Sequence, residues 1–330
     1  MANTIQDRIN QYLEDTIGAE RNFETALSTF GHAGEQSAVQ SLLSKASDRA
    51  RTQHQRLEAM LKSRGGTPSE TKTLLAEMLA FTPLSAQVGE GAEEKNTQHL
   101  MVTYAAAAAE MAMYESLATV AAEGGAEDVV SLARILQEEE RDDYEEVWGI
   151  LRQSATQSFQ AELRKGKSSK EVLARYLENA IAAEKSFETQ LLGFSKEAED
   201  PTVQALFRQH AQETKEQYSL LTRRLEELGG STSTLKSFLA HIFNFAPKLA
   251  QIGHDRFERQ TQDLMMAFAV ENAEVAMYES LSQAAEISGD TQTLELARQI
   301  QKQEKQTAEK VWAQVAPAAR KAVLAVAAEA

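Results

Sequence analysis

A repeat of constant offset runs through most of this chain. The segments AAAAEMAMYESL at 106–117 and VENAEVAMYESL at 270–281 agree at eight of twelve positions and lie 164 residues apart. The same offset pairs Gly65-Gly66 with Gly229-Gly230, and no gap is needed. Because one inserted residue inside a helix would turn its buried face away, a register held this long predicts two units with the same tertiary contacts.

The composition favours helix in both units. The 330 residues include only 5 prolines and 16 glycines, and the long runs are rich in Ala, Glu, Gln, Leu and Lys, which form helices readily. The length allows two domains that each bury a core. We therefore predict an all-α protein with domains at residues 1–160 and 168–330, packed about a pseudo-twofold axis as in a homodimer of single-domain relatives.

Each unit contains four helical patterns, A to D, separated by glycine or proline. Short links join A to B and C to D, whereas about 30 residues connect B to C, so that this connection can cross the bundle from end to end. That connectivity is typical of ferritin-like four-helix bundles. In the second unit, Pro317 is predicted to stop helix D, and residues 318–330 to form a short added helix. In the first unit the predicted helices are at 4–30, 35–64, 97–122 and 127–153, with a short helix at 74–81 before Pro83.

Charge and residue types exclude several classes of function. A net charge of -15 and a pI near 5.0 disfavour nucleic acid and membrane surfaces as partners, and leave cations or basic proteins. The N-terminal segment lacks the apolar core of a signal peptide, and no apolar run approaches the about 20 residues that span a bilayer. We therefore expect a cytoplasmic protein. With no cysteine, any metal must be held by oxygen or imidazole.

Acidic residues stand on the apolar faces of all four helices of the second unit. Ionised carboxylates in a bundle core repel one another and lose hydration, and a bound cation relieves both effects. The opposite interpretation, that these are solvated surface residues, fits most single glutamates on helices. Two of the candidates lie one turn apart on one face of helix C. The candidate ligands are Glu184 on A, Glu213 on B, Glu271 and Glu274 on C, and Glu304 on D.

Four motifs, one on each helix, mark the second unit. They are Ala-Ala-Glu-Lys at 182–185, His-x-x-Glu-Thr-x-x-Gln at 210–217, Val-Glu-x-x-Glu-x-x-x-Tyr at 270–278 and Gln-Glu-Lys-x-Thr at 303–307. Together they resemble the YciE/YciF-type ferritin-like proteins over nearly all of the second unit and, more weakly, the first. The resemblance implies a ferritin-like bundle with a carboxylate-rich metal site of the di-iron type, and an association with stress responses.

The second unit departs from the general ferritin-like site, in which two helices each supply Glu and the other two supply Glu-x-x-His. The positions three residues after Glu213 and Glu304 hold Glu216 and Thr307 instead of histidine. His210 lies three residues before Glu213 on the same face, and it is a candidate ligand or a partner of one. A site dominated by oxygen accepts iron, and also manganese, magnesium or calcium.

The first unit departs further from that pattern. It keeps three of the acids, but Ala107 stands opposite Glu271, and Arg49 opposite Glu213. The fixed positive charge of Arg49 would pair with the remaining acids in place of a metal, so iron, manganese or another divalent cation is expected in the second unit only. A different site rebuilt from Asp48, Asp143 and His54 is the alternative. The degenerate first site comprises Glu20, Arg49, Glu110, Glu140 and Asp143.

Two functional hypotheses follow from these residues. One is a ferritin-like metal-binding protein, a monomeric pseudo-dimer or small homo-oligomer. For this hypothesis the resemblance implies that iron or manganese reacts with oxygen or peroxide near the Tyr278 hydroxyl. The other is a metal-free helical scaffold or interaction protein with vestigial sites, in which the carboxyl groups are protonated, hydrogen-bonded or solvated. The metal content of the protein separates the two.

Overall fold

The structure, a computed structural model, describes residues 4–32, 38–68, 91–231 and 255–329. Within these residues every regular element is an α-helix, and each unit contributes four. The short helix predicted at 74–81 and Pro83 lie outside the described residues. In chain order the helices are α1 (Ile5–His32), α2 (Ala38–Ser63), α3 (Ala92–Glu123), α4 (Glu127–Arg164), α5 (Ser169–Glu197), α6 (Pro201–Glu227), α7 (Arg256–Ser288) and α8 (Thr291–Glu329).

Each unit is a bundle of two helix pairs. In the first unit α1 packs along α2 and α3 along α4, and the two pairs meet through α1 with α3 and α2 with α4. The second unit repeats these contacts with α5 to α8. The predicted all-α fold of two tandem four-helix bundles is confirmed.

Two predicted helix ends are wrong. α4 continues to Arg164 instead of ending at residue 153, and α8 passes through Pro317 and reaches Glu329. Proline removes one helical hydrogen bond and crowds the preceding turn. However, Ala319 and Val323 beyond it are fully buried, and this packing stabilises α8 on both sides of the proline. The tail is therefore part of α8 and not a separate helix.

The helices α3 and α7 are buried on nearly all sides. Almost every side chain from Thr97 to Ala121 on α3 and from Gln260 to Ala285 on α7 is inaccessible to solvent. A helix with no exposed face must be surrounded by other helices. Here α3 and α7 pack against each other, α3 packs against α8, and α4 packs against α7. The two units thus share one core, with the reciprocal contacts that a pseudo-twofold axis requires.

The ends of α7 are fixed by local hydrogen bonds. Asp255 Oδ1 accepts from the backbone N–H of Phe257 at 2.8 Å and of Glu258 at 3.0 Å. The N–H of Asp255 donates in turn to Glu258 Oε2 at 2.9 Å, which completes a capping box. Gly289 ends the helix with φ of 70°, a left-handed conformation that glycine adopts without steric cost. The register of α7 in the core is set by these two ends.

A buried arginine joins the first unit to the start of α7. The side chain of Arg8 on α1 is 2% exposed, and its Nη2 lies 2.5 Å from Asp255 Oδ2. Its Nη1 also pairs with Glu258. The acids that cap α7 therefore share one cation from the other unit. Because these charges are buried together, each needs its oppositely charged partner to compensate for the hydration that it has lost.

Replacing Arg8 by methionine should leave the two capping acids of α7 without this buried cation. We expect the free energy of unfolding to fall by about 3–5 kcal/mol, the usual cost of breaking a buried ion pair from one side. Arg152→Met is the control, because Arg152 also pairs across the units, with Glu286, but its side chain is 61% exposed. Exposed pairs contribute only about 0–1 kcal/mol. Urea denaturation followed by circular dichroism measures both variants, and equal losses would contradict the prediction.

His99 on α3 is a neutral core residue of the first unit. Its ring stacks on Phe30 of α1 with the centroids 4.1 Å apart, and the residue is 2% exposed. Burial, assisted by the nearby ammonium of Lys95, lowers the pKa of His99 from 6.5 to about 4. Folding therefore holds the imidazole in its uncharged form.

His99 should make the protein less stable in acid. Its pKa is 6.5 in the unfolded chain and about 4 in the folded one, so its contribution to stability is complete above pH 6.5 and is lost as the pH falls through about 4. The loss approaches roughly 3 kcal/mol at about 1.4 kcal/mol per pH unit. His99→Gln should flatten the unfolding free energy over this range in urea titrations. At about pH 7 the same comparison reports the contacts that the neutral ring makes in the core. Parallel stability profiles for both proteins would refute the assignment.

Candidate metal centre

The second unit brings one histidine and four glutamates together inside its bundle. α7 supplies Glu271 and Glu274, and the other helices supply Glu184 from α5, His210 from α6 and Glu304 from α8; all five are buried. His210, Glu271, Glu274 and Glu304 each present a possible ligand atom, and these atoms lie within 4.8 Å of one another. Glu184 adjoins this group next to Glu274. Five of the six residues predicted for this site are therefore neighbours.

His210 lies between two of the acids. Its Nδ1 is 2.9 Å from Glu271 Oε1 and its Nε2 is 3.5 Å from Glu304 Oε2, although neither nitrogen makes an aligned hydrogen bond. Burial disfavours the imidazolium, but the attraction of Glu271 and then Glu304 outweighs it and raises the pKa of His210 well above its usual value. A metal ion can bind a ring nitrogen of His210 once the proton on that nitrogen has left.

Two of the acids are held at one oxygen and free at the other. The Tyr278 hydroxyl donates to Glu184 Oε1, and the Gln217 amide donates to Glu304 Oε1. In the described part of the chain, Oε2 of Glu184, Oε2 of Glu304 and both oxygens of the two α7 glutamates receive no hydrogen bond from a residue outside this centre. Within the centre, Glu274 lies within hydrogen-bond reach of Glu184, and Glu271 within reach of Glu304 and His210. Carboxylates that are oriented by outer donors and free on their inner side have the arrangement of metal ligands.

The acids of this centre resist ionisation in metal-free protein. Burial, followed by the neighbouring carboxylates, raises the pKa of Glu184 and of Glu274 well above the usual range. Burial also raises the pKa of Glu271 to about 8, although His210 opposes the rise. One imidazolium compensates one negative charge, so four carboxylates ionise together only around further cations.

The predicted ligand Glu213 is not part of the centre, which corrects the sequence prediction. Its side chain is partly exposed and accepts a hydrogen bond from Gln209 Nε2 at 2.8 Å. The buried stripe of α6 runs through His210, Thr214 and Gln217, at spacings of four and three residues. Glu213 lies beside this stripe, on its solvent side. Helix α6 therefore presents His210 and Gln217 to the centre.

The first unit has a smaller group of acids in the equivalent place. Glu20 from α1, Glu110 from α3 and Glu140 from α4 are fully buried, and each presents an oxygen within 4.8 Å of those of the other two. Burial raises the pKa of Glu140 to about 8, and burial with the Glu140 charge raises that of Glu20. Ala46 and Ala107 stand opposite the histidine and the first α7 glutamate, so this group has no imidazole and one acid fewer.

The outer donors of the second unit are repeated in the first. The Tyr114 hydroxyl donates to Glu20 Oε1, and Gln53 Nε2 donates to Glu140 Oε1 at 2.7 Å. Gln217, the counterpart of Gln53 in α6, ends the motif at 210–217, but neither glutamine was predicted to take part in a site. The signal that could have found them is their place on the apolar stripe of their helices, at the repeat offset of 164 residues.

The salt bridge predicted for the first unit forms at the edge of the acid group. Arg49 Nη1 lies 2.5 Å from Asp143 Oδ1 and donates to the backbone oxygen of Glu139 at 3.3 Å. Among the described residues, Arg49 makes no ion pair with the three buried acids. Burial raises the pKa of Asp143 to about 6, against the opposing effect of Arg49. The arginine thus compensates Asp143 and does not fill the centre.

The alternative site of Asp48, Asp143 and His54 is not formed. Asp48 is 74% exposed and pairs with Arg51 at 3.0 Å. His54 Nδ1 lies 3.1 Å from Glu24 Oε2. Among the described residues, these three side chains do not bring their ligand atoms together.

Fold and centre together define a class of protein, a tandem helical bundle with acids buried in each unit. A family model described as "Domain of unknown function (DUF892)" matches residues 4–160 and again residues 168–324. The chain belongs to this family, which is part of the ferritin-like superfamily, and it carries the domain twice in tandem.

Among solved structures, the chain is similar to a protein from Xanthomonas campestris pv. campestris. The identity is 28%, the match covers 49% of this chain and 98% of that one, and the TM-score is 0.40. No curated protein gives a significant match. None of the helices in the described ranges combines the length and apolarity needed to cross a membrane.

Proposed function

We propose that the second unit is a divalent-metal centre of the carboxylate-rich, di-iron type. The observation that carries the proposal is the set of free donors in a buried place. Six carboxylate oxygens and both nitrogens of His210 lack an aligned hydrogen bond within the described residues. In a folded core such atoms are normally satisfied, and bound metal ions would take most of the oxygens and one nitrogen of His210 as ligands.

The donor set suits iron or manganese. Imidazole favours transition metals, whereas carboxylates also accept hard cations. Glu184, Glu271, Glu274 and Glu304 together carry the charge that two divalent cations would balance, and His210 adds one nitrogen ligand. The general ferritin-like site also draws its ligands from all four helices of a bundle, and here each helix of the second unit supplies at least one.

A bound iron or manganese ion would supply redox chemistry with oxygen or peroxide. The protein's own residues prepare the place for it. Tyr278 and Gln217 orient the outer carboxylates, and burial of all five ligands keeps bulk water out. To bind a metal ion, His210 would have to release a proton that its contacts with Glu271 and Glu304 stabilise. Metal binding would therefore release protons and weaken in acid. We also propose a cytoplasmic location, which the N-terminal sequence favours, and a role in stress responses, which the resemblance to YciE/YciF-type proteins implies.

The metal content of full-length protein purified without chelator tests this proposal. We expect elemental analysis to find iron or manganese in wild type, and the ions of the second unit to be missing from Glu271→Gln combined with Glu274→Gln. Re-addition of Fe²⁺ or Mn²⁺ to chelated wild type should raise the melting temperature, since an ion at about 100 times its Kd stabilises by about 2.7 kcal/mol. The double variant should lose most of this rise.

Glu213→Gln is the matched control. It removes a carboxylate from α6 that the sequence analysis proposed as a ligand but the structure places beside the surface, so metal content and melting temperature should not change. Wild type that holds no metal and shows no shift with either ion would favour the metal-free scaffold. A loss of metal in Glu213→Gln would mean that the ligand set is wrong.

A further inference from the structure

The acids of the first unit are oriented from outside, as those of the second unit are. Tyr114 and Gln53 hold Oε1 of Glu20 and of Glu140. Oε2 of both residues and the two oxygens of Glu110 receive no hydrogen bond from another described residue outside the group. All three side chains are fully buried, and Glu110 lies within hydrogen-bond reach of both Glu20 and Glu140. Four free carboxylate oxygens therefore converge within one bundle core.

No basic side chain in the described ranges forms an ion pair with these three acids, although the charge of Arg49 opposes the rise in the pKa of Glu140. The arginine at the edge is engaged by Asp143, and the position that holds histidine in the second unit is Ala46. An apolar core tolerates such a group either as uncharged carboxyls or as ligands around a cation. The expectation of a metal-free first unit rested on Arg49 entering the group, and the structure removes that premise.

We propose that Glu20, Glu110 and Glu140 bind one hard divalent cation, of the Mg²⁺, Ca²⁺ or Mn²⁺ class, through oxygen ligands alone. Three carboxylates and four free oxygens suit one divalent ion with water in its remaining positions. The absence of imidazole removes the preference for softer transition metals. The two units would then differ in the metals that they prefer. This inference does not require the second unit to bind metal, because the ligands of the two centres belong to separate bundles.

The test isolates the first centre in the full-length chain. Glu271→Gln with Glu274→Gln removes two ligands of the second unit and leaves the first unchanged. After chelation, we expect this protein to bind one equivalent of Mn²⁺ by calorimetry and electron paramagnetic resonance, with Mg²⁺ or Ca²⁺ competing. Adding Glu110→Gln should abolish that binding. Glu110→Gln alone should keep the ions of the second unit.

Tyr114→Phe supplies a milder variant that keeps every ligand and the aromatic ring in the core. Loss of the hydroxyl frees Glu20 to rotate, so in the isolating background the affinity for Mn²⁺ should fall about 10–100-fold while the number of ions bound stays at one. Tyr278→Phe, its counterpart in the second unit, should leave this affinity unchanged. Melting curves in chelator establish that each variant is folded.

The outcomes separate this inference from the proposed function. If wild type binds metal but the isolating variant binds no Mn²⁺, the three acids hold protons instead of an ion, and this inference fails while the proposed function stands. If the isolating variant binds Mn²⁺ but Glu110→Gln protein binds nothing, the proposed function fails and this inference stands. Mn²⁺ binding that survives Glu110→Gln in the isolating background would place the ion elsewhere and overturn the inference.

Discussion

The cost of burying ionisable acids in a helical core is the constraint on which this structure depends. The helices α3 and α7 have almost no exposed face, so every glutamate near their middle must find its compensation inside the protein. Around Glu274 that compensation includes an imidazolium and the donors that orient the outer carboxylates. Around Glu110 the donors remain but the imidazole does not. The arrangement of both cores follows from how the negative charge of these buried glutamates is compensated.

The pairing of the two units makes such complete burial possible. Neither bundle alone would cover α3 or α7, and each unit covers the central helix of the other. The first unit also acts on the second centre's helix directly. Arg8 neutralises the acids that cap α7, and the Tyr144 hydroxyl donates to Asn272 Oδ1 at 2.7 Å, beside Glu271. The position of the ligands on α7 thus depends on contacts from the neighbouring unit.

Much of this could be predicted from the sequence, because the repeat and the apolar periodicity act over whole helices. The acids of the second unit were predicted from their apolar flanks and their occurrence on each helix, and those of the first unit from the repeat offset of 164 residues. Glu213 was misplaced because two residues three apart on a helix share a face only approximately, and burial separates His210 from it. Arg49 pairs with Asp143 at the edge of the group instead of with the three buried acids, because its long side chain can reach that far. Pro317 locally favours the end of the helix, but the packing of the turns beyond it keeps α8 helical. Such packing cannot be predicted from the residues next to the proline.

The two units also show which features of the centre are independent of each other. Alanine replaces the histidine and one acid in the first unit, so an apolar residue fits at the centre of this core. Replacing buried charged groups by well-packed apolar ones is often neutral or stabilising, yet Glu20, Glu110 and Glu140 stand beside those alanines with both outer donors in place. A core tolerates such acids either as uncharged carboxyls or as ligands around a cation. Under the proposal above, loss of imidazole with retention of oriented carboxylates changes which metal the first unit prefers and does not remove its ability to bind one.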